Sequence, residues 1–208
     1  MTQSLWGDGH ALDPLENAVG ALRAGEIVAY PTDTLYGLAV DPRLDAAVER
    51  LCRAKDRKVG DGFPLIAGDL EQVESFVGGV SDLGRRLAGR FWPGPLTLVL
   101  SAQRSVVSGL ADAEGSLAIR VPASVVARQF ALLAKHPITA TSANRRGMAP
   151  ATTGREVVQA FGSDVALVLE HQTTLVGAPS TIVDARAPTP RLIRDGVVPW
   201  TSVLQFLA

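Results

Sequence analysis

The sequence predicts an α/β fold with a mixed sheet, on the basis of three observations. Segments with helical periodicity alternate with short apolar runs of strand type along the whole chain. Several neighbouring strands have no helix between them, which favours a mixed sheet over a purely parallel one. Hydrophobic residues make up 47% and charged residues 20% of the 208 residues, a globular composition that excludes disorder, collagen and coiled coil. No linker or repeat divides the chain, so we predict one domain over residues 1–208.

The helices are predicted from apolar spacing and from their end signals. The first ends at Gly25, the second begins near Asp41 and Pro42 because proline suits a first helical turn, and Ser81 is the N-cap of the fourth. The predicted helices are 15–24, 41–55, 70–77, 82–91, 124–134, 155–161 and 201–207.

Short runs rich in apolar residues between these helices predict the strands. The segment that follows the first strand, 31–37, is predicted to be a loop. The predicted strands are 27–30, 63–67, 96–100, 117–121, 138–141, 165–169, 180–183 and 191–193.

Charge and cysteine content limit the classes of protein that fit. Twenty basic and 21 acidic side chains give a net charge of −1, so any anion site must be local. Cys52, the single cysteine, lies in an apolar periodic stretch and is predicted to be a buried structural thiol. The N-terminal residues lack a basic region followed by an apolar one, and no run of 18 uncharged apolar residues occurs. These observations predict a cytoplasmic protein without a membrane segment.

Several common catalytic motifs are absent from the sequence. It contains no Walker A loop, no Rossmann glycine pattern and no G-x-S-x-G elbow. His10, His136 and His171 are far apart and form no zinc spacing, so no protein-bound metal site is predicted. Ser142 has no histidine nearby in sequence that would mark it as a nucleophile.

Hydroxyl groups are concentrated in segment 31–37, directly after the first buried strand. Open α/β sheets place ligand loops at such strand ends, so Thr32, Thr34 and Tyr36 could line a pocket. The alternative is a turn in which threonine and aspartate side chains satisfy local backbone groups.

Lys55, Arg57 and Lys58 place three cations at a predicted helix C-terminus. They could oppose the negative end of the helix dipole, or they could clamp a phosphate or carboxylate. The glycine-containing loop 59–62 that follows could move with such a ligand.

Other polar residues lie within or at the ends of predicted strands. Arg120 lies inside an apolar strand and needs an anionic partner or a ligand, unless it is exposed at a strand edge. Ser142 and Asn144 follow another strand and could hold phosphate oxygens. Ser180 and Arg194 repeat the combination of a hydroxyl or guanidinium group beside a strand.

Taken in order, seven segments resemble the YrdC-like family, over roughly residues 12–200. The sequence looks like the short bacterial form of the TsaC type, since no counterpart of the additional C-terminal domain of longer members is expected in it. The segments are YPTDTLYGL (30–38), K-x-R (55–57), RFWPGPLTLVL (90–100), AIRVP (118–122), TSAN (141–144), PSTIVD (179–184) and IRDG (193–196).

The resemblance implies a YrdC-like twisted mixed sheet, flanked by helices, with a concave positively charged cavity. It also implies the condensation of L-threonine, bicarbonate and ATP into threonylcarbamoyl-AMP, assisted by Mg²⁺, with release of pyrophosphate. Partner enzymes would pass the threonylcarbamoyl group to an adenosine of tRNA, and a contact with tRNA or double-stranded RNA is further implied.

The resemblance also implies roles for ten residues. Arg120 is the implied partner of the threonine carboxylate, and Arg194 is an implied nucleotide contact. The implied catalytic and phosphate-binding positions are Lys55, Arg57, Ser142 and Asn144. The implied substrate-binding positions are Thr32, Thr34, Tyr36, Arg120, Ser180 and Arg194.

Two departures from the family pattern keep other functions open. Lys58 replaces a proline and the stretch to Pro64 is longer, whereas Arg145 and Arg146 stand where an apolar residue and a serine are usual. These departures favour a YciO-type paralogue with a different reaction as the alternative. A non-catalytic RNA-binding module is a third hypothesis, which the near-neutral charge and the lack of interleaved aromatic residues disfavour.

Overall fold

The computed structural model describes residues 2–4, 14–58, 60, 62–103, 110–111, 114–170 and 177–208. These residues form helices α1 (Pro14–Arg23), α2 (Asp45–Lys55), α3 (Leu70–Glu74), α4 (Asp82–Phe91), α5 (Val125–Ala134), α6 (Gly154–Phe161) and α7 (Trp200–Leu207). The strands are β1 (Thr2–Ser4), β2 (Val28–Pro31), β3 (Tyr36–Ala39), β4 (Leu65–Ile66), β5 (Leu96–Ser101), β6 (Ser116–Arg120), β7 (Ile138–Thr139), β8 (Thr141–Ser142), β9 (Leu167–Glu170), β10 (Thr181–Asp184) and β11 (Arg191–Arg194).

The strands are arranged in two mixed sheets. One has the order β1-β9-β2-β3-β8 and the other the order β11-β10-β5-β6-β4-β7. Each contains both parallel pairs, such as β2 with β9 and β5 with β10, and antiparallel pairs, such as β2 with β3 and β5 with β6. The predicted α/β class with mixed pairing is therefore confirmed, although the strands divide between two sheets. One domain over residues 1–208 stays a prediction.

The predicted strand 138–141 passes from one sheet to the other. Its first half, β7, pairs with β4, and its second half, β8, pairs with β3. Between the halves, the Ala140 N–H donates to the Pro64 carbonyl at 2.7 Å, and the Thr139 hydroxyl donates to the Leu38 carbonyl at 3.1 Å. This crossing brings the polar residues that follow β8 to the junction of the two sheets.

Among the elements that differ from their predicted bounds, β3 and α2 do so for local hydrogen-bonding reasons. Residues 36–39, half of which were predicted to be loop, form β3, because the turn before them folds the chain back onto β2. Helix α2 begins at Asp45 rather than near residue 41. The Asp41 carboxylate accepts the Arg43 N–H at 2.9 Å and holds a turn there, and Leu44 becomes the N-cap.

Apolar side chains from both sheets and the helices form two buried clusters. Helices α1 and α5 pack with β2 in one of them, in which Leu22, Tyr30 and Phe130 are fully buried. Cys52 is 3% exposed in the other cluster, which confirms the prediction of a buried thiol. In the described part of the chain, no helix is long and apolar enough to cross a membrane.

The buried side chain of Asp41 holds the turn before α2. Asp41 accepts from the Arg43 guanidinium at 2.8 Å, and the His136 Nε2 lies 3.4 Å from the same carboxylate. Burial raises the pKa of Asp41, but the hydrogen bonds from His136 and Arg43 outweigh it and hold that pKa well below its usual range. The carboxylate therefore stabilises the fold in its ionised form.

We expect Asp41→Asn to lower the free energy of unfolding by about 2 kcal/mol at pH 7, because a buried hydrogen-bonded charge is lost. Because folding lowers this pKa, the contribution is complete above the unfolded value near 3.9 and is lost as the pH falls below it. Urea denaturation at pH 7 and pH 3 measures the difference between wild type and variant. Glu74→Gln, which removes an exposed pair with Arg85, is the control and should change stability by less than about 0.5 kcal/mol. A difference that persists unchanged at pH 3 would contradict this assignment.

Candidate active site

Strands of both sheets line a cavity of about 390 Å³. A second cavity of about 360 Å³ adjoins it and shares Arg57, Thr141 and Ser142 with it. Of the ten predicted site residues, those that line the first cavity are Thr32, Thr34, Tyr36, Arg57, Arg120, Ser142, Ser180 and Arg194. The remaining two, Lys55 and Asn144, line the second. The fold thus brings all the predicted positions to one composite site.

The turn between β2 and β3 presents two threonine hydroxyls to the first cavity. Thr32 Oγ1 donates to the Leu35 carbonyl at 2.7 Å and accepts the Thr34 N–H at 3.1 Å. Thr34 Oγ1 lies 3.0 Å from Thr32 Oγ1. The two interpretations of this segment, a lining of a pocket and a turn with locally satisfied backbone groups, are therefore compatible. The Thr32 hydroxyl that closes the turn also lines the cavity.

Arg120, at the end of β6, is 6% exposed. Its anionic partner is Asp33, in the turn between β2 and β3. Its Nη1 lies 3.2 Å from Asp33 Oδ1, and its Nη2 donates to Thr34 Oγ1 at 3.0 Å. The alternative of an exposed strand-edge arginine is therefore wrong. Asp33 was missed as a site residue, although its place between two threonines of the predicted ligand segment was a usable signal.

The opposite side of the cavity is built from β5, β10 and β11. Ser180 Oγ lies 2.8 Å from Thr97 Oγ1, and the Arg194 guanidinium donates to the Ser180 carbonyl at 2.8 Å. Burial and the nearby charge of Arg120 lower the pKa of Arg194. Two guanidinium groups close enough to repel each other create an environment in which an anion is stabilised. Thr97, inside an apolar strand, carried no signal in the sequence.

Lys55, the last residue of α2, is buried against the segment that follows β8. Its ammonium donates to the carbonyls of Ser142 and Asn144 and to Asn144 Oδ1, the last at 3.0 Å. An ammonium has three N–H groups, so these acceptors use all of its donors. Burial and the neighbouring Arg57 charge lower the pKa of Lys55 to about 8. Lys55 therefore holds the Ser142–Asn144 turn in place in this structure.

Side-chain hydrogen bonds of Ser142 and Asn144 also hold the Ser142–Asn144 turn in place. Ser142 Oγ donates to Asn144 Oδ1 at 2.6 Å, and Asn144 Nδ2 donates to the Met148 carbonyl at 2.8 Å. With Lys55 these contacts define the position of a hydroxyl and an amide at the mouth of the second cavity. Such groups are typical hydrogen-bond partners of phosphate oxygens.

Arg57 lies where the two cavities meet. Its guanidinium donates to the Gly62 carbonyl at 3.1 Å and lies 4.8 Å from the centre of the Phe63 ring. Gly60 and Gly62 have positive φ angles of 95° and 65°, which favour glycine. Residues 59 and 61, which are half of the loop 59–62 that was predicted to move, lie outside the described part of the chain.

Tyr36 contributes to the site by fixing its walls. Its N–H donates to the Ala151 carbonyl at 3.1 Å, and its carbonyl accepts the Ala143 N–H at 2.8 Å. Burial and the Glu170 carboxylate raise the pKa of Tyr36 to about 12. The phenol is therefore neutral near pH 7.

The histidines and acidic residues give no indication of a metal centre. His136 belongs to the buried Asp41 cluster, and His10 and His171 lie outside the described residues. Across the parts of the chain with described coordinates, no three His, Cys, Asp or Glu residues form a group that could hold a metal ion.

A cavity that combines hydroxyls and guanidinium groups, next to a second cavity lined by cations, has the chemistry of a site for a small polar molecule beside an anion. The family model Sua5/YciO/YrdC, described as "Telomere recombination", matches residues 20–196. The chain belongs to this family.

Relatives with similar sequences share one name. A threonylcarbamoyl-AMP synthase of Chromohalobacter salexigens is 38% identical over 84% of this chain and 94% of its own length. One of Pyrococcus abyssi is 34% identical over 89% of this chain, which spans 55% of that longer relative. The crystal structure of P. abyssi Sua5 complexed with L-threonine superposes with a TM-score of 0.91 at 29% identity, covering 100% of this chain and 61% of that one.

Proposed function

We propose that this chain is a threonylcarbamoyl-AMP synthase, a nucleotidyltransferase that condenses L-threonine, bicarbonate and ATP and releases pyrophosphate. The observation that carries the proposal is the composite site, in which a hydroxyl-lined cavity with a buried arginine adjoins a cation-lined one. The shared name of relatives that match most of their length supports it.

The product defines the bonds that the site must help to form. The threonine nitrogen attacks the carbon of bicarbonate to give a carbamate and water. A carbamate oxygen then attacks the α-phosphorus of ATP, and the bond to pyrophosphate breaks. A site for this reaction must hold a carboxylate, a polyphosphate and the developing charge between them, and must exclude the water that would hydrolyse the mixed anhydride.

We assign the first cavity to threonine. Arg120 can bind the threonine carboxylate with its planar fork, and the hydroxyls of Thr32 and Ser180 can bind the polar groups of a small amino acid. Arg194 adds a second positive charge to the same cavity. We assign this guanidinium to a contact with the nucleotide. Thr34 and Tyr36 shape the wall between these groups.

We assign the second cavity to the phosphates of ATP. Arg57 can contact phosphate oxygens where the cavities meet, and the Ser142 hydroxyl and the Asn144 amide would exchange their present acceptors within the protein for phosphate oxygens. Lys55 holds these two groups in position through its hydrogen bonds to the carbonyls of Ser142 and Asn144 and to Asn144 Oδ1. Mg²⁺ would enter with ATP as part of the substrate and neutralise charge on the phosphates, with its ligands supplied chiefly by phosphate and water.

Transfer of the threonylcarbamoyl group to tRNA by partner proteins in the cytoplasm, with direct tRNA contact, completes the proposal. The YciO-type alternative is not favoured, because the relatives described above are named threonylcarbamoyl-AMP synthases. A non-catalytic RNA-binding module is a different class of function, which the following assay separates from the synthase.

The direct test supplies the purified chain with L-threonine, bicarbonate and MgATP, and detects threonylcarbamoyl-AMP by mass spectrometry and pyrophosphate by a coupled assay. We expect the two products in equal amounts and neither when threonine or bicarbonate is omitted. Pyrophosphate formed at the same rate without threonine would contradict the proposal and favour another nucleotide reaction.

We expect serine to be a poorer substrate than threonine, because it lacks the methyl group of a fitted side chain. One methyl group in such a pocket is worth roughly 1–3 kcal/mol, or about tenfold to 200-fold in kcat/KM. Steady-state kinetics with either amino acid, at saturating ATP and bicarbonate, measure the ratio. Equal values of kcat/KM would show that the site is not shaped for threonine.

A further inference from the structure

The second cavity contains a cation that the assignments above do not use. Arg146 lines it together with Lys55, Arg57 and Asn144, in the segment that leaves β8. Arg146 is exposed, and its guanidinium makes no hydrogen bond or ion pair with any residue that the structure describes. Its five N–H donors are therefore available to a ligand.

Arg145, the neighbouring arginine, differs from Arg146 because its guanidinium contacts other residues of the protein. Arg145 donates to the Ala160 carbonyl at 2.9 Å and to Asp164 at 2.8 Å, and it lies 5.3 Å from the centre of the Phe161 ring. Arg145 is thus committed to packing against α6. Only Arg146 of this pair lines the cavity.

The chemistry of the second cavity determines which part of a nucleotide fits there. Its lining consists of Lys55, Arg57, Thr141, Ser142, Asn144, Arg146 and Gly147. Among the residues that the structure describes, this lining offers cations, hydroxyls and an amide but no aromatic or aliphatic side chain against which a base could stack. The cavity is therefore suited to phosphate groups rather than to adenine.

We propose that Arg146 binds the terminal phosphates of ATP, which leave as pyrophosphate. This inference rests on the proposed function and deepens it. The α-phosphate must meet the carbamate where the two cavities join, at Arg57 and Ser142. Of the two described cavities, Arg146 lines the second and not the first, and the Lys55 ammonium is already engaged. A guanidinium there would stabilise negative charge on the leaving pyrophosphate.

The test measures the affinities of pyrophosphate, MgATP and AMP for wild type and Arg146→Ala by calorimetry at low salt. We expect pyrophosphate and MgATP to bind about fivefold to tenfold more weakly to the variant, and AMP to bind equally well. Arg155→Ala is the matched control, since Arg155 is exposed on α6 and does not line either cavity. It should change none of the three affinities.

Other outcomes would overturn the inference. If Arg146→Ala binds pyrophosphate as tightly as wild type, or if its affinity for AMP falls as much as its affinity for pyrophosphate, Arg146 does not bind the terminal phosphates. The same conclusion follows if the wild-type chain does not bind pyrophosphate. A loss of affinity for an RNA oligonucleotide with unchanged pyrophosphate binding would instead assign Arg146 to RNA. If wild type binds pyrophosphate through Arg146 but makes no threonylcarbamoyl-AMP, the proposed function fails and the phosphate site stands.

Discussion

Replacement of Arg120 by leucine should raise the KM for threonine about tenfold to a hundredfold and change the KM for ATP by less than about twofold. The reason is the loss of a charge-assisted contact with the threonine carboxylate, worth about 1.5–3 kcal/mol. Steady-state kinetics with each substrate varied in turn separate the two constants. Arg120 lies on the threonine side of the composite site, away from the cavity assigned to phosphates.

The Asp33 contact requires a control, because leucine at position 120 leaves a carboxylate without its partner. In the double variant Arg120→Leu with Asp33→Asn, that carboxylate is also neutralised. We expect the double variant to fold as wild type does, by thermal unfolding, and to keep the high KM for threonine. Recovery of a wild-type KM in the double variant would mean that Arg120 serves only to neutralise Asp33.

The sequence predicts site residues where hydroxyl or charged groups stand beside a predicted apolar strand. Thr32 directly follows β2 and Ser180 directly precedes β10, and the fold places both in the first cavity. Sequence order could not show that β7 and β8 divide between two sheets, because the hydrogen bonds of Thr139 and Ala140 that separate them join residues far apart in the chain. Long-range pairing of this kind has no local signature.

The partners of the charged residues were the least predictable feature. The sequence indicated that Arg120 needs an anion, but the pairing with Asp33 depends on a contact across 87 positions. Similarly, the sequence predicts that the cations at the end of α2 oppose the helix dipole or clamp a phosphate or carboxylate. It does not show that Lys55 is buried against Ser142 and Asn144, because the crossing segment lies beside that helix end only in the folded chain.

Lys55→Met should lower kcat/KM for ATP about a hundredfold while the chain remains folded. Methionine fills a similar volume but does not hold the carbonyls of Ser142 and Asn144, so two phosphate ligands lose their fixed positions. Thermal unfolding checks that the variant is folded, and ATP kinetics at saturating threonine and bicarbonate measure the loss. Arg57→Ala is the comparison, and its loss should be nearer tenfold because a contact is removed without disturbing the turn.

The pH dependence of MgATP binding provides the second readout for Lys55. Because its pKa is lowered to about 8, the ammonium persists below that pH and loses a proton above it, leaving two N–H donors for three acceptors. We expect the Kd for MgATP to rise about tenfold between pH 7 and pH 9 in wild type, as the protonated fraction falls. Lys55→Arg does not titrate in this range, so its Kd should stay constant whatever its absolute value. A wild-type Kd that is flat from pH 7 to pH 9, or a variant that follows the same curve, would show that Lys55 does not control the phosphate site.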